Sequence, residues 1–539
     1  MPELIIDGQS VEVAPGATLL DAARQLGIDI PTLCYLEQCG PMTSCLVCVV
    51  KVTQNGRARI VPSCAAKAEP GMVVESETAE IRDLRRAAFE LLLSDHVGDC
   101  LSPCHRICPL DLNIPRMIRQ IETNDLDRAV TTLRQALALP AVLGRLCNAP
   151  CQNGCRRAGS CGGGSAAIRD LERFVADACL RSPEKYLPAR KPSTGKTIAI
   201  VGSGPTGLAA AYYLLRQGHA CTLFDRQPRP GGSLRRVDDT SLPAAILEAE
   251  LDAFKQLGAQ FQVSTSVGAD VLSTDHLRRN YDAVLIAAGA LSKTELDTLG
   301  LMASPVGVRV NTATAQTEHP NVFAAGSAVK PVKQLVRAMS EGQAAAECLH
   351  QFLVGLPIRP LEKAFSSVMG RLEAPELDLF LKSASPIPRT APAHGPGTGF
   401  TIDEARGEAA RCLHCDCRAE GSCNLQHYAE LYGANPNRFA RQRRLFEQHR
   451  HPARVLFEPG KCILCGICIH IAQQAAEPLG LTFVGRGFNV QVAAPLDRPF
   501  SDGLQKVAAE CVKHCPTGAI VFDDRSEEHT SELQSRQVI

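Results

Sequence analysis

The cysteines are the residues whose type and spacing most directly indicate chemistry. The chain of 539 residues has 24 of them, and most stand in tight groups beside proline and glycine. A disulfide framework is typical of small secreted domains, whereas this chain is long. Closely spaced thiolates bind zinc or iron–sulfur clusters, and we favour iron–sulfur ligation. Three isolated cysteines are expected to be core residues: Cys179, Cys221 and Cys348.

The first group suits a [2Fe–2S] cluster. Its short Cys-x2-Cys pair is flanked by one earlier and one later thiol, and the four candidate ligands are Cys34, Cys45, Cys48 and Cys64. Cys39 follows Cys34 with the four-residue gap of plant-type ferredoxins, so the fourth ligand stays open. A structural zinc site is the alternative.

The second group lies between residues 96 and 155 and repeats a three-residue gap. Its members are His96, Cys100, Cys104 and Cys108, followed by Cys147, Cys151 and Cys155. Such spacing could place side chains on one face of a helix, but Pro103, Pro109 and Pro150 interrupt helices there. We therefore expect these cysteines on loops that can wrap a cluster.

Two further groups lie near the C-terminal end. One places four thiols within twelve residues, at Cys412, Cys415, Cys417 and Cys423, and predicts either a [4Fe–4S] cluster or zinc. The other has the ferredoxin pattern of three closely spaced cysteines and a distant Cys-Pro pair, at Cys462, Cys465, Cys468 and Cys515. In that pattern the distant cysteine completes the cluster of the first three. We expect one [4Fe–4S] cluster there and interpret Cys511 as the remnant of a second.

A glycine-rich stretch predicts a dinucleotide site. An apolar strand, Thr197–Val201, leads into a helix, and a second strand ends at Asp225. The glycines between them permit a tight turn, the approach of a pyrophosphate and close helix packing, and the acid can accept ribose hydroxyls. The candidate cofactor-binding residues are Gly202, Gly204, Pro205, Gly207, Asp225, Gly231, Gly232, Gly289, Gly326 and Ser327. Gly289 and Gly326 end the strands predicted at Tyr281–Gly289 and Asn321–Gly326, and Ser327 follows the second strand.

Two stretches resemble known iron–sulfur domains. PTLCYLEQCGPMTSCLVCVVKV resembles the ferredoxin domain of the complex I large iron–sulfur subunit. CPLDLNIP, GRLCNAPCQNGC and LERF resemble the two-cluster helical domain of the glutamate synthase small subunit and dihydropyrimidine dehydrogenase. That resemblance implies that Cys108, Cys147, Cys151 and Glu172 hold one [4Fe–4S] cluster. It implies that Cys100, Cys104 and Cys155 hold another, whose fourth ligand is His96 or Cys161; we favour His96.

The glycine-rich domain resembles the flavin domain of the glutamate synthase small subunit, which implies FAD. Two departures stand out. The family follows the last glycine with an acid where this chain has Ser327, and it inserts an NADPH-binding domain where only Ala290–Pro320 lies here. A βαβ unit needs about 30 residues, so we expect the nicotinamide domain to be missing. KCILCGICI…GRGF…ECVKHCPTGAI resembles the ferredoxin segments of complex I and of iron hydrogenase subunits.

We therefore expect a multidomain α+β and α/β protein. Its parts are a β-grasp [2Fe–2S] ferredoxin domain at 1–78, a helical two-cluster domain at 79–190, a Rossmann-like FAD domain at 196–356, a Pro-rich connector at 357–400, a Cys-rich cluster segment at 401–450 and a ferredoxin-like 4Fe–4S domain at 451–524. The cofactor load would be one FAD, one [2Fe–2S] cluster and three or four [4Fe–4S] clusters.

The composition narrows the function. Lys+Arg and Asp+Glu balance at 57 each, and no apolar run is long enough to span a membrane, so we expect neither a nucleic-acid partner nor a membrane span. We expect a cytoplasmic oxidoreductase subunit that relays electrons between FAD and the clusters. Its partner would be an NADH-diaphorase-like, molybdopterin dehydrogenase or hydrogenase subunit, or a ferredoxin. The alternatives are a self-contained NAD(P)H-dependent reductase and a non-catalytic scaffold with a vestigial flavin domain.

Residues 525–539, RSEEHTSELQSRQVI, resemble the translation of a sequencing-library adapter, and we expect the natural C-terminus near or beyond Asp524. Deleting 525–539 should leave the melting temperature and cofactor content unchanged, because the segment has no apolar face to bury. Calorimetry and iron and flavin analysis check this. A clear drop in melting temperature would show that the segment belongs to the fold.

Overall fold

The computed structural model describes residues 1–159, 163–181, 187–268, 272–395, 397–439 and 442–522. Cys161, the alternative ligand to His96, and the adapter-like residues 525–539 lie outside this described part. The chain forms two compact units, one of Met1–Ser102, Ala364–Lys382 and Cys415–Ile539, the other of Pro103–Lys363 and Ser383–His414. Within the described ranges, no helix is long and apolar enough to cross a membrane.

The first unit combines several small sheets with short helices. Its strands are Glu3–Ile6, Gln9–Glu12, Tyr35–Leu36, Gly40–Pro41, Val49–Gln54, Arg57–Pro62, Val73–Glu75, His449–His451, Val455–Phe457, Thr482–Val484, Gln491–Ala493 and Ile520–Phe522. Its helices are Leu19–Gln25, Ala79–Leu93, Ala374–Leu381, Asn424–Leu431, Ile467–Gln474, Phe500–Gly503 and Ala508–His514.

The N-terminal part of this unit is a five-stranded mixed sheet. The first strand, Glu3–Ile6, pairs antiparallel with Gln9–Glu12 and parallel with Val73–Glu75. Alternate side chains, such as Leu4 and Ile6, are buried, as expected for a sheet with one covered face. Helix Leu19–Gln25 begins with a capping box, in which the side chains of Thr18 and Asp21 each accept a hydrogen bond from the other residue's backbone N–H.

The second unit places helices around a parallel sheet. Its helices are Pro103–Ile107, Ile114–Glu122, Leu126–Ala136, Pro140–Leu146, Pro150–Asn153, Ile168–Arg181, Pro205–Arg216, Ala244–Gln256, Thr274–Asn280, Lys293–Leu299, Leu335–Leu353 and Ile402–Ala409. Its strands are Thr197–Val201, Ala220–Phe224, Gln260–Gln262, Ala283–Ile286, Ala303–Ser304, Gly307–Val308 and Val322–Ala324.

Five of these strands form the parallel sheet predicted for the dinucleotide domain. Their spatial order is Gln260–Gln262, Ala220–Phe224, Thr197–Val201, Ala283–Ile286 and Val322–Ala324, and every pair is parallel. This is the order of a doubly wound nucleotide-binding sheet, with its central strand followed by the glycine-rich turn. The Rossmann-like fold class is confirmed.

Two glycines allow close backbone packing in this unit. A Cβ at Gly207 would lie 2.0 Å from the carbonyl oxygen of Gly202, and a Cβ at Gly342 would lie 2.3 Å from that of Thr206. Helix Leu335–Leu353 therefore packs directly on the helix that follows the glycine-rich turn. Gly207 acts in helix packing, as its spacing predicts.

The segment between the last two strands of the sheet is short. Residues 290–320, all of them described, form helix Lys293–Leu299 and a hairpin of two-residue strands, Ala303–Ser304 and Gly307–Val308. This agrees with the prediction that Ala290–Pro320 holds no second dinucleotide-binding domain.

Proline acts differently from the prediction in the helical region. Pro103 and Pro150 open short helices, so Cys104 and Cys151 lie in helices and not on loops. Proline is tolerated in the first helical turn because its missing N–H has no partner there. Helix Leu126–Ala136 ends at Leu137, which is already extended, and Leu139, the residue before Pro140, also lies outside the α region.

A buried ion pair joins the helical region to the sheet region of the second unit. Arg134 Nη1 lies 3.0 Å from Glu250 Oε2, and both side chains are buried. The backbone N–H of Ala141 donates to the other carboxylate oxygen at 2.6 Å. Glu250 thus holds the ends of two neighbouring helices, Leu126–Ala136 and Pro140–Leu146.

Glu250→Ala should destabilise this unit by about 3–5 kcal/mol, because it leaves the Arg134 guanidinium buried without its carboxylate. Calorimetry of the full chain should show the lowered unfolding transition. Asp252→Ala on the same helix is the control, since its pair with Lys255 is exposed and exposed pairs contribute little. Equal shifts for the two variants would contradict the role given to Glu250.

Candidate functional site

The four predicted [2Fe–2S] thiols come together at the edge of the N-terminal sheet. Cys48 Sγ lies 3.4 Å from Cys64 Sγ. A hydrogen bond from the Cys45 thiol lowers the pKa of Cys34 to about 5, and the same bond raises the pKa of Cys45. All four side chains are buried. Thiolates are the metal-binding form of cysteine, so this arrangement suits ligation.

Cys39 lies apart from this thiol group. Its Sγ points to Gln474 Oε1 at 3.8 Å, and its charge acts on Cys511. Burial raises the pKa of its thiol. The geometry therefore favours Cys64 over Cys39 as the fourth ligand, which sequence spacing leaves open.

A second group surrounds Glu172 in the second unit. Burial raises the pKa of the Glu172 carboxyl to about 8. Burial also raises the pKa of Cys147 and Cys151, and the charge of Glu172 adds to this effect. Burial also raises the pKa of Cys108 to about 11, with Glu172 contributing. A buried carboxyl among three thiols matches the ligand set that the resemblance implies. Thiol and carboxyl groups are donor types that suit an iron–sulfur cluster.

Cys104, Cys155 and Cys412 lie near this group. Cys104 raises the pKa of Cys151, and Cys412 raises that of Cys155, in each case as a smaller effect than burial. The Sγ of Cys412 accepts a hydrogen bond from the backbone N–H of His414 at 3.4 Å. Cys104 and Cys155, which are predicted to share a cluster, thus have Cys412 of the C-terminal group as a neighbour in the same unit.

Cys100 lies in the first unit, beside two members of the C-terminal group. The backbone N–H of Cys417 donates to the Cys100 carbonyl at 3.2 Å. Burial raises the pKa of Cys100 to about 12, and Cys417 adds to this. Cys417 and Cys100 likewise add to the effect of burial on Cys423, whose pKa rises to about 12.

The ferredoxin-like thiols line a cavity of the first unit. Its walls include Cys462, Cys465, Cys468 and Cys515, the four predicted ligands. The N–H of Leu464 donates to Cys462 Sγ at 3.4 Å, a contact that also stabilises cluster-bound sulfur. Cys511 lies outside the cavity lining but close to it, with its Sγ 3.9 Å from the Cys468 carbonyl oxygen. The arrangement fits one cluster with Cys511 as a neighbour.

Among the described residues, no three His, Cys, Asp or Glu side chains lie close enough together to hold a single metal ion. Four thiolates that hold a cluster instead surround several iron atoms.

The glycine-rich turn leaves room for a cofactor. Gly202 has φ +105°, and a Cβ there would lie 2.4 Å from the carbonyl oxygen of Ala287. At Gly204 the nearest described atom to a Cβ would be Gly232 Cα, at 4.0 Å. Helix Pro205–Arg216 begins directly after Gly204, so its first N–H groups face this space. A pyrophosphate fits where the Gly204 side chain is missing.

The side chain of Asp225 is held by hydrogen bonds from the glycine-rich loop and from the residues that follow it. Its Oδ2 accepts from the N–H of Ser203 at 2.8 Å and from the Ser203 hydroxyl, and its Oδ1 accepts from the N–H of Gln227 at 2.9 Å. A carboxylate has about four acceptor sites, so acceptance from a ribose hydroxyl is compatible with these bonds. Ser203 is a residue that sequence reasoning missed; its place between Gly202 and Gly204 was the available signal.

The remaining predicted flavin residues follow the carboxyl ends of neighbouring parallel strands: Gly231 and Gly232 come after Ala220–Phe224, and Gly289, Gly326 and Ser327 come after the last two strands. Gly326 has φ +68°, and a Cβ there would lie 2.3 Å from Thr206 Oγ1, in the first turn of the glycine-rich helix. Ser327 accepts through its hydroxyl from the N–H of Val332 at 3.3 Å. The Gly231–Gly232 pair contacts the glycine-rich loop, since the Gly231 N–H donates to the Ser203 carbonyl at 3.0 Å. At Gly289 no described atom lies within 4 Å of a Cβ position.

Lys461 is a second residue that sequence reasoning missed. Its ammonium is buried, donates to Cys417 Sγ at 3.4 Å and forms an ion pair with the buried Glu458. Glu458 also pairs with Arg418 at 3.4 Å. The only signal in the sequence was a lysine directly before the first ferredoxin cysteine.

Three family models match consecutive parts of the chain. Residues 3–79 match a 2Fe-2S iron-sulfur cluster binding domain. Residues 96–183 match the dihydropyrimidine dehydrogenase domain II with its 4Fe-4S cluster, and residues 167–342 match a pyridine nucleotide-disulphide oxidoreductase. The chain carries three redox domains. These matches confirm the predicted iron–sulfur and flavin-type cofactors.

Curated relatives share part of this arrangement. The chain is 36% identical over 221 residues to the NADP(+)-dependent formate dehydrogenase subunit beta of Moorella thermoacetica, covering 37% of this chain and 31% of that protein. It is 37% identical over 208 residues to the glutamate synthase [NADPH] small chain of Mycobacterium tuberculosis, covering 37% and 40%. It is 33% identical over 222 residues to the NAD-dependent dihydropyrimidine dehydrogenase subunit PreT of Escherichia coli, covering 40% and 53%. The alignments thus span about a third to a half of these relatives.

Gly204→Ala should weaken FAD binding about tenfold, which corresponds to about 1.4 kcal/mol, because the methyl group occupies the space left for the pyrophosphate. The flavin released per chain and the dissociation constant on flavin titration measure this, while iron content should stay constant. Gly407→Ala is the matched control, since its Cβ would make an ordinary 3.8 Å contact with Ile387. Equal flavin retention in both variants would contradict the assigned site.

Proposed function

We propose that this chain relays electrons between FAD and iron–sulfur clusters as a subunit of a larger oxidoreductase. When bound, a flavin exchanges one or two electrons and clusters exchange one, so together they convert between the two modes. The residues of the chain would bind the flavin and the clusters, fix their positions and exclude water from around them. The matched redox domains and the buried ligand groups support this function.

One observation carries the proposal. Tyr213, on the helix that begins at the glycine-rich loop, packs against the same apolar core as Cys108. The flavin-binding helix therefore lies against the thiol group that contains Glu172. Both belong to one continuous apolar core, with Leu208 and Ala209 from the helix and Cys147 and Cys151 from the thiol group. A dry, direct packing of this kind suits electron transfer.

Tyrosine hydroxyls fix this packing. The Tyr212 hydroxyl donates to the Arg134 carbonyl, and the Tyr213 hydroxyl donates to the Ala136 carbonyl. Both carbonyls lie at the C-terminal end of helix Leu126–Ala136, where they have no partner within the helix. Two carbonyl groups that have no hydrogen-bond partner within helix Leu126–Ala136 thus hold the helix that follows the glycine-rich loop in place.

We assign the ligand groups as follows. The [2Fe–2S] cluster would be held by Cys34, Cys45, Cys48 and Cys64, one [4Fe–4S] cluster by Cys108, Cys147, Cys151 and Glu172, and another by Cys462, Cys465, Cys468 and Cys515. The support is the convergence of each set, described above. The FAD pyrophosphate would lie at Gly204, with Asp225 facing the ribose.

The donor or acceptor would be a partner subunit of the NADH-diaphorase, molybdopterin dehydrogenase or hydrogenase type, or a ferredoxin. The support is that residues 290–320 form one short helix and a hairpin, which leaves this sheet without an inserted nicotinamide domain. Several curated relatives are themselves subunits of named oxidoreductases. We place the protein in the cytoplasm, where thiols such as the free cysteines of the described ranges stay reduced.

The full chain, reconstituted with clusters and flavin, should not be reduced by NADH or NADPH at a useful rate. Hydride transfer needs the nicotinamide held about 3–3.5 Å from the flavin, and that placement is the task of the domain predicted to be missing. Anaerobic stopped-flow absorbance measures the bleaching of the flavin.

Dithionite and reduced ferredoxin are the positive controls, and both should bleach the flavin. Reduction by either nicotinamide at a typical enzyme turnover, about 10 s⁻¹, would overturn the proposal in favour of a self-contained reductase. A chain that takes up clusters but no flavin would instead favour the scaffold.

A further inference from the structure

Three buried or half-buried thiols form a group that local spacing divides between two sets. The family resemblance groups Cys100 with Cys104. Close spacing in the sequence groups Cys417 and Cys423 with Cys412. In the first unit, however, Cys100 and Cys417 are joined by a backbone hydrogen bond of 3.2 Å. Cys423 packs against the small apolar cluster that contains Cys417. The three thiols therefore surround one point.

His96 supplies a fourth donor to the same region. The residue is half-buried, but its Nδ1 is inaccessible to solvent and has no hydrogen-bond partner among the described residues. A buried imidazole nitrogen without a partner is costly unless it binds something. Its other ring nitrogen lies beside Lys461, since a Cβ at Gly98 would meet His96 Nε2 at 3.3 Å and Lys461 Cε at 2.5 Å.

Lys461 links the histidine to the thiols. Its ammonium donates to Cys417 Sγ at 3.4 Å, and the backbone around it is tightly packed: a Cβ at Gly518 would lie 2.6 Å from that same sulfur. The N–H of Ser367 donates to Cys100 Sγ at 3.4 Å. Positive charge and N–H donors directed at sulfur are the contacts that stabilise thiolates on a cluster.

We propose that His96, Cys100, Cys417 and Cys423 together hold one [4Fe–4S] cluster in the first unit. The run from Cys412 to Cys423 then does not form a separate centre. Cys412 instead belongs with Cys155 in the second unit, where it fills the ligand position left open by the loss of Cys100. This inference rests on the proposed function and names the residues that would hold one of its clusters. Its test measures cluster ligation and not electron transfer, so the ligand assignment and the proposed function can fail independently.

Iron content in a double-mutant series tests the shared set. Cys100→Ala and Cys417→Ala should each remove about four iron atoms per chain, and the double variant should lose the same four. Separate clusters would give an additive loss of about eight, which would overturn the proposal. Cys348→Ala, which removes an isolated core thiol, is the control and should retain all iron.

Cys412→Ala separates the two partitions further. Combined with Cys417→Ala, it should remove about eight iron atoms if the two cysteines serve different clusters. A loss of only four for that pair would show that Cys412–Cys423 forms one centre, and would overturn the proposal. Electron paramagnetic resonance of each variant identifies which cluster signal disappears.

Pulsed electron paramagnetic resonance of the unaltered, reduced full chain tests the histidine without any substitution. One [4Fe–4S] signal should carry a strong nitrogen coupling that changes when histidine is labelled with ¹⁵N. His96→Cys should abolish that coupling while keeping the iron, and His276→Gln, on an exposed position of the flavin domain, should leave it intact. Lack of a histidine coupling, with four iron atoms lost in Cys415→Ala, would replace His96 by Cys415 and overturn the histidine assignment.

Discussion

The burial of ionisable ligand side chains is the constraint on which the rest of this structure depends. Burial raises the pKa of Cys100 to about 12, of Cys147 to about 11 and of Glu172 to about 8. Their charged forms are unfavourable in an apolar core, and several such charges close together repel one another. A bound metal centre reverses this preference because its own positive charge favours thiolate. The protein can therefore place these groups in its core only where something compensates them.

Compensation takes a different form in each unit. In the first unit the buried Lys461 contributes a positive charge beside Cys417, and Glu458 and Arg418 extend this into a small charged network. In the second unit Arg169 is the neighbouring positive charge that lowers the pKa of Glu172, against the larger effect of burial. Such differences in charge and hydrogen bonding set the potentials of iron–sulfur clusters. The two units thus provide unlike surroundings for clusters of the same type.

Sequence predicted best where local pattern and chemistry coincide. The strand–turn–helix around Gly202 is set by residues close together in the sequence, and it formed as expected. The distant Cys515 was assigned correctly to the same cavity as Cys462 because the Cys-Pro pair carries its own signature. The effect of proline is harder to predict from the sequence. Proline interrupts a helix interior but is tolerated in the first helical turn, and Pro103 and Pro150 both open short helices.

The partners of Cys100 could not be predicted from its neighbours. Cys100 and Cys104 are four positions apart, but the chain passes from one unit to the other between Ser102 and Pro103. Cys417, which contacts Cys100, is more than three hundred residues further on, and local spacing carries no information about such a contact. The resemblance to a two-cluster domain favoured the local grouping of Cys100 with Cys104.

Similar long-range packing positions the glycine-rich helix of the second unit. Tyr212 and Tyr213 extend from the glycine-rich helix to the end of helix Leu126–Ala136, and Arg134 on that helix pairs with Glu250 beyond it. Each contact is buried or half-buried, so water competes little with it and its geometry is well defined. The helix that would hold the pyrophosphate is therefore oriented by the iron–sulfur region itself.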